Sequence, residues 1–395
     1  MFIRIWRLIL REFRMFASSK VLMGVVILMP LFYTFLFGYI YEAARVTQIP
    51  AWISDRDQSS LSRAMVEAYK RHELIRIENT KGTIDDFKRE SLKGNVFAYI
   101  IIPEDFEKNL KKNKQERILT FVEGSNLLIT NTVAKVATEI AATYSAGAEI
   151  KRLNLGGVPP EYTLTAANPI TSTVRILNNP TMNYKNFLIP GLIGAVIQQV
   201  TLLGVALAFS KEREEKLFKD VLGITSSPLE VLISKTFFYG AMNFIISGIA
   251  LFITFKAFHI KFAGAPMLLL LLLFVFIACL VALGVVVSVV CNTQLAATQV
   301  LMVIAVPAFM LSGYTWPQFA MNSVLQFLSN LMPLTHFVLP LRDIALMSAG
   351  YEVIRPHLIW MWSLVIICFA IAYPLTVREM KKAVPVPADY EGRSR

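Results

Sequence analysis

Apolar positions along this chain fall into two patterns. Six long, nearly unbroken apolar blocks lie at about 21–41, 187–209, 231–255, 266–291, 296–316 and 357–377. As helices rising about 1.5 Å per residue, each is long enough to cross a hydrocarbon core about 30 Å thick. Between the first two blocks the pattern changes to short apolar or β-branched runs separated by amphipathic stretches. The runs Ile49–Ser54, Leu74–Ile77, Val96–Ile102 and Arg117–Val122 predict strands. Pro103 stops the third of them. Ser60–His72, Ile84–Lys93, Glu104–Lys111 and Leu127–Lys151 predict helices. Thr83, three residues before Asp86, supplies a capping box for the second helix. Strands alternating with helices predict an α/β layer on a mostly parallel sheet. Gly156-Gly157-Val158-Pro159-Pro160 then breaks the last helix.

Two further stretches fit neither pattern. Residues 1–19 predict a helix with Arg4, Arg7, Arg11 and Arg14 on one face and Ile3, Trp6, Leu10 and Phe13 on the other. Such a helix suits the membrane interface; setting topology and docking a cytoplasmic partner are its alternative uses. Residues 317–356 are too polar to span and too apolar for an ordinary loop. Val324–Leu331 and Thr335–Ala345, parted by Pro333, predict re-entrant or interfacial helices. The predicted fold class is an α-helical membrane protein with six transmembrane helices and an extracytoplasmic α/β domain inserted between helices 1 and 2. Its parts are an interfacial helix (1–19), the first span (20–41), the inserted domain (42–186), the second span (187–210) and a cytoplasmic coupling helix (211–230). Spans at 231–256, 266–291 and 296–316, the outer-face helices (317–356), the sixth span (357–378) and a cytoplasmic tail (379–395) follow.

Composition agrees with a membrane protein. Of 395 residues 55% are hydrophobic and 17% charged, and the mean hydropathy is +0.53. A soluble domain carries about 25% charged residues. The net charge of +11 has its source in cytoplasmic loops rather than in a nucleic-acid-binding face, because no basic stripe is interleaved with stacking aromatics. Arg4, Arg7, Arg11, Arg14 and Lys20, with Lys211, Arg213, Lys216, Lys219 and Lys235, and Arg378, Lys381, Lys382, Arg393 and Arg395, gather on one side. The short loops opposite hold only Lys256, Lys261, Arg342 and Arg355. Both termini are therefore expected in the cytoplasm and the 42–186 insertion outside. The first block is expected to be a retained signal anchor, since no small-x-small site follows it. Cys279, Cys291 and Cys368 lie in or beside apolar blocks, so no disulfide framework holds the insertion.

Several residue runs, in order, resemble the permease subunit of ABC-2 type exporters, in the branch with an extracytoplasmic domain after the first helix. These are Ser54-Asp55-Arg56-Asp57-Gln58-Ser59-Ser60-Leu61-Ser62-Arg63, Ala98-Tyr99-Ile100-Ile101-Ile102-Pro103-Glu104-Asp105-Phe106 and Phe121-Val122-Glu123-Gly124-Ser125-Asn126. Phe187-Leu188-Ile189-Pro190-Gly191, Lys211-Glu212-Arg213-Glu214 with Ser227-Pro228-Leu229-Glu230, Leu311-Ser312-Gly313-Tyr314 and Met332-Pro333-Leu334-Thr335 complete the set. Lys216-Leu217 and Ala320-Met321-Asn322 depart from the family's pattern.

The resemblance implies a bacterial plasma (inner) membrane location, a second permease chain, identical or paralogous, and separate cytoplasmic ABC ATPase subunits that carry the ATP and magnesium. It implies an ATPase-coupling role for Lys211, Glu212, Arg213, Glu214, Glu215, Leu217 and Glu230. Leu217, Val221 and Leu222 form the apolar face expected to fit an ATPase groove, with Glu212, Glu214, Glu215, Lys216 and Lys219 solvated. The turn Asn292–Gln294 is a second possible contact, and a plain solvated connector is the bland alternative. Family geometry, which sets the second and fifth spans at the central cavity, makes Gln198, Thr201, Gln299, Met302 and Phe309 candidates for a translocation path. Helix–helix hydrogen bonding is the alternative use of such polar groups.

No chemistry belongs to the chain itself on this reading. It lacks G-x-x-x-x-G-K-[ST], a zincin motif and a nucleophile elbow, so it is expected to be no enzyme, with no metal or cofactor of its own. The apolar blocks hold almost no ionisable residue, with Lys20, Glu42 and Lys256 at their ends. That disfavours ion-coupled carriage and favours a hydrophobic or amphiphilic cargo, such as a drug or lipid, moved outward. A periplasmic adaptor and membrane lipids are further expected partners. The alternatives are a non-transporting anchor or sensor that displays the inserted domain, and a channel.

Overall fold

The computed structural model describes residues 1–43, 46–80, 82–112, 114–157, 159, 175, 177–214, 218–291 and 293–383. Glu215, Lys216, Leu217, Asn292 and the tail beyond Ala383 lie outside them. The chain forms two compact units, residues 45–176 and the remainder.

The smaller unit is the α/β layer. Its strands are β1 (Ile49–Asp55), β2 (Ile75–Asn79), β3 (Ala98–Ile102) and β4 (Leu119–Val122), in the order β2-β1-β3-β4. β1 runs parallel to both β2 and β3, and β4 closes the sheet antiparallel to β3. The central strand β3 is wholly buried, as its run of Tyr99, Ile100, Ile101 and Ile102 requires. Met65 and Tyr69, with Val133, Val136 and Ile140, cover one face. Phe87 packs with Trp52 and Tyr99 on the other.

In the larger unit, α1 (Phe2–Ser18) precedes the first span. That span is α2 (Lys20–Met23), a π-helical stretch (Gly24–Leu28) and α3 (Met29–Ile40). Pro30 supplies the reason for the wider turn. It has no N–H for the carbonyl four residues back, and its ring crowds that carbonyl. The next helices are α8 (Tyr184–Glu214), α9 (Phe218–Leu222), α10 (Pro228–Lys256), α11 (Pro266–Val290) and α12 (Gln294–Leu311). In the smaller unit, α4 (Ser60–Arg71), α5 (Ile84–Leu92), α6 (Phe106–Lys111) and α7 (Leu127–Leu155) are the intervening helices. Thr83 and Asp86 form the expected capping box on α5.

Six helical segments among the described residues are long and apolar enough to cross a membrane. They are α2–α3, α8, α10, α11, α12 and α15 (Tyr351–Ala383). The stretch between α12 and α15 holds α13 (Ser323–Asn330) and α14 (Thr335–Met347), bent by 82° at Pro333. α11 sits at the core, where Leu272, Leu273, Phe276, Cys279 and Leu280 are buried. Phe276 stacks on Phe337 of α14 with ring centroids 4.1 Å apart. Where lipid surrounds the helices, such close packing, rather than expulsion of water, holds them together.

The predicted coupling helix over 211–230 is not one element. Residues 211–214 belong to α8, α9 ends at Leu222, the chain is non-helical over 223–227, and Ser227-Pro228 begins α10. Proline at the first helical position explains that restart, because it tolerates a missing donor only there.

Candidate functional site

α1 approaches the span bundle with one narrow face. Leu8, Glu12 and Phe16, spaced by four, are its buried residues. Its expected apolar face of Ile3, Trp6, Leu10 and Phe13 stays exposed, at 72%, 60%, 40% and 52%. The seam is therefore not the helix's most apolar stripe but one with a carboxylate at its centre.

Glu12 enters a buried cluster of four charges. Lys235, on the first turns of α10, is 1% exposed and lies 2.8 Å from Glu12 Oε1 and 2.6 Å from Glu212 Oε2. Both carboxylates are fully buried. Arg11 Nη1 reaches Glu212 Oε1 at 2.6 Å and Glu12 Oε1 at 3.1 Å. The Lys235 approaches are charge–charge contacts rather than directional hydrogen bonds. Two cations and two anions balance, which is what makes such burial tolerable. The Lys235 ammonium also lies 4.7 Å from the centroid of the Phe209 ring. Tyr239, one turn beyond Lys235, donates to Glu12 Oε2 at 3.5 Å. Burial, the largest effect, lifts the Glu12 carboxyl above its ordinary value, although Lys235 pulls it down.

This cluster contradicts the expectation of a solvated Glu212. Glu212, near the end of α8, faces α1 and α10 rather than water. Lys235, grouped by sequence with the cytoplasmic loop cations, is inside the span bundle. Val221 of α9, expected to face an ATPase groove, is buried with Leu8, Val231 and Met380 of the same chain. Glu230 is also buried; it accepts from Thr225 Oγ1 at 2.6 Å and meets Arg4 at 3.4 Å. Arg4 and Arg11 thus pin α1 to both ends of the 211–230 segment.

Glu214 behaves as expected of an exposed residue, yet it too is engaged. Its carboxylate accepts from the backbone N–H of Gln294 at 2.8 Å and from Gln294 Nε2 at 2.6 Å. Gln294 opens α12, so a carboxylate sits where unpaired helical N–H groups favour one. The end of α8 and the start of α12 are joined in this way. Lys211 is half-buried in the last turns of α8, where Arg213 also lies.

The five candidate path residues separate. Thr201 and Gln198 of α8 are buried in the bundle. Thr201 donates to Asn243 Oδ1 at 3.2 Å, and Asn243 donates to the Tyr239 carbonyl at 2.8 Å. A polar ladder therefore runs from the charge cluster along the α8–α10 seam. Gln299 and Met302 are exposed on α12, and Phe309 is half-buried, its ring 6.4 Å from that of Tyr314.

Two of the resemblance-bearing runs meet. A Cβ on Gly191 would fall 2.3 Å from the Tyr314 ring, so only glycine admits that ring against α8. Tyr314 OH donates to the Phe187 carbonyl, and the two rings stack at 5.4 Å. Gly313 turns the chain there with φ +78°. His336 and His357, 21 residues apart in sequence, face each other, Nδ1 to Nδ1, at 2.9 Å. His336 also stacks on Trp360 at 4.1 Å.

Residues 20–373 match the family described as ABC-2 family transporter protein. The chain is 25% identical over 374 residues to "Probable multidrug ABC transporter permease YbhR" of Escherichia coli K12, covering 93% of this chain and 95% of that protein. It is 23% identical over 365 residues to "Inner membrane transport permease YhhJ" of the same strain, covering 89% and 91%. Against "Probable multidrug ABC transporter permease YbhS" it is 20% identical over 350 residues, covering 87% and 88%. The match over nearly the whole chain, on six span-length apolar helices, makes this protein a member of the ABC-2 transporter family, a multi-pass membrane permease subunit rather than an ATPase.

Proposed function

We propose that this chain is half of an exporter. Two copies, or one copy and a paralogue, form the pathway, and two separate cytoplasmic ABC ATPases, which hold the ATP and magnesium, grip the exposed parts of the 211–230 segment. The termini face the cytoplasm, and the 45–176 unit lies on the outer side. Cargo is hydrophobic or amphiphilic and moves outward; relatives named as multidrug permeases support that class. The apolar face Ile3, Trp6, Leu10 and Phe13 of α1 rests in the membrane interface.

The observation that carries this reading is the buried charge cluster. A push on the 211–230 segment reaches α1 through Glu212–Arg11 and Glu230–Arg4, α10 through Lys235, and α12 through Glu214–Gln294. Charges held in a water-poor seam resist gradual separation, so they favour movement of these ends as one body between two states. Gln299 and Met302, on the exposed face of α12, are the best-placed of the path candidates to meet cargo. Gln198 and Thr201 serve the bundle.

Co-purification tests the partnership. The solubilised chain is pulled from its native membrane and the eluate assayed for ATP hydrolysis, with Glu214→Lys/Asp220→Lys as the variant, since both residues are exposed. Wild type brings an ATPase and the variant loses it. A folded chain that brings no ATPase contradicts the proposal and favours a display or anchoring role.

A further inference from the structure

The two edges of the sheet in the 45–176 unit differ. The outer strand β2 carries Arg76 and Glu78, both outward and ion-paired to each other. Charges so placed discourage another strand from adding to that edge. The other edge, β4, has no charge within Leu119–Val122, and Leu119 and Phe121 are 56% and 36% exposed. Glu123 N–H donates to the Phe97 carbonyl at 2.8 Å. By antiparallel alternation Leu119 and Phe121 also turn their backbone groups to β3, and Thr120 and Val122 turn theirs to the open side. Among the described residues no strand or backbone bond meets that side.

From this edge we infer that β4 pairs antiparallel with β4 of a second copy of the chain, Thr120 opposite Thr120 on the two-fold axis. The strand's own sequence is self-complementary in that register. Arg117 falls opposite the partner copy's Glu123, Ile118 opposite Val122, and Leu119 opposite Phe121, each pair occurring twice by symmetry. Arg117, Leu119, Phe121 and Glu123 share a face by strand parity, so the charged pairs flank the exposed apolar ones. Neighbouring registers lose the Arg117–Glu123 match. Odd offsets place a residue bonded to β3 opposite an outward one and make no ladder. Two sheets become one continuous sheet across the pair, and the exposed edge disappears. The pairing is short, and strand pairs of this length are marginal alone. It rests on the proposed assembly of two like chains, which holds the edges at high local concentration.

The test uses the full chain in nanodiscs. Its own cysteines are buried in the other unit. Light scattering first counts chains per disc. Leu119→Cys and Phe121→Cys chains bearing different tags are then co-expressed and oxidised; opposed side chains in a non-hydrogen-bonded pair lie about 4.5 Å apart, within disulfide reach. The mixed pair forms a disulfide heterodimer, neither variant does so with itself, and Lys88→Cys, on exposed α5, does not. Thr120→Cys joins to itself through a short bis-maleimide linker, each thiol adding across one maleimide double bond. Arg117→Glu lowers that yield about five-fold by opposing like charges at both ends. Two chains per disc without the mixed disulfide overturn this inference and leave the two-chain exporter intact, as does a Phe121→Cys self-disulfide or a Lys88→Cys yield equal to the others. One chain per disc overturns this inference and leaves the exporter only in its paralogue-paired form.

Discussion

Replacing Lys235 with methionine keeps the length and packing of the side chain and removes only its charge. Glu12 and Glu212, both without exposure, then share Arg11 alone. Breaking a buried ion pair by removing one partner costs about 3–5 kcal/mol, because the orphaned charge has no water to return to. The second variant, Glu12→Gln, on its own leaves two cations against one anion. Combined with Lys235→Met it restores one cation to one anion, Arg11 with Glu212. The double variant is therefore less damaged than the sum of the singles by about 2 kcal/mol. Equilibrium unfolding in mixed micelles, followed by tryptophan fluorescence, reads all three differences. Costs that add within about 0.5 kcal/mol would mean that the four charges do not act as one unit, and the reasoning would fail. The pH dependence has a fixed sign. Glu12 has a folded value above its ordinary one, so its contribution is complete below the ordinary value of 4.5 and is lost as pH rises through the folded value. Lys235→Met removes the charge that moderates this rise. Its deficit against wild type is consequently smaller at about pH 5 than at about pH 8.

Three other outcomes follow from particular contacts. Gly191→Ala forces its Cβ into the Tyr314 ring and costs about 1–3 kcal/mol, read as a lower thermal midpoint of the solubilised chain. Thr83→Ala removes one half of the α5 capping box and costs about 1 kcal/mol; hydrogen exchange faster in Ile84–Phe87 than in β3 localises the effect. Thr225→Val deletes the hydroxyl that donates to buried Glu230, costing about 1–3 kcal/mol in the same unfolding assay.

The α/β unit was legible because its signals are local. The β-branched run at 98–102 reads as a buried strand, and Thr83 with Asp86 announces a helix start, without reference to anything distant. The span helices were legible for the same reason. The charge cluster was not, since its members stand at positions 11, 12, 212 and 235 and come together only when α1 folds back on α8 and α10. One lysine within an otherwise apolar block was the available signal, and counting it with the loop cations concealed it. The face that α1 buries against the bundle was not legible, because Leu8, Glu12 and Phe16 form a mixed stripe beside a more apolar one. Packing, rather than hydropathy, chose between them. The connector segment looked like one amphipathic helix because Leu217, Val221 and Leu222 offer an apolar face beside charged residues, while the restart at Pro228 depends on the geometry of α10.

The most direct test of the account reconstitutes the chain with its co-purified ATPase into inside-out vesicles and measures uptake of a lipophilic fluorescent cation. The account predicts ATP-dependent uptake by wild type. Uptake falls at least ten-fold, by about 1.4 kcal/mol in effective coupling, in the folded Lys235→Met/Glu12→Gln variant, in which the ATPase still binds but the link to α10 is gone. Undiminished uptake by that variant, with the ATPase bound, would contradict the claim that the buried charges carry the movement from the connector into the spans.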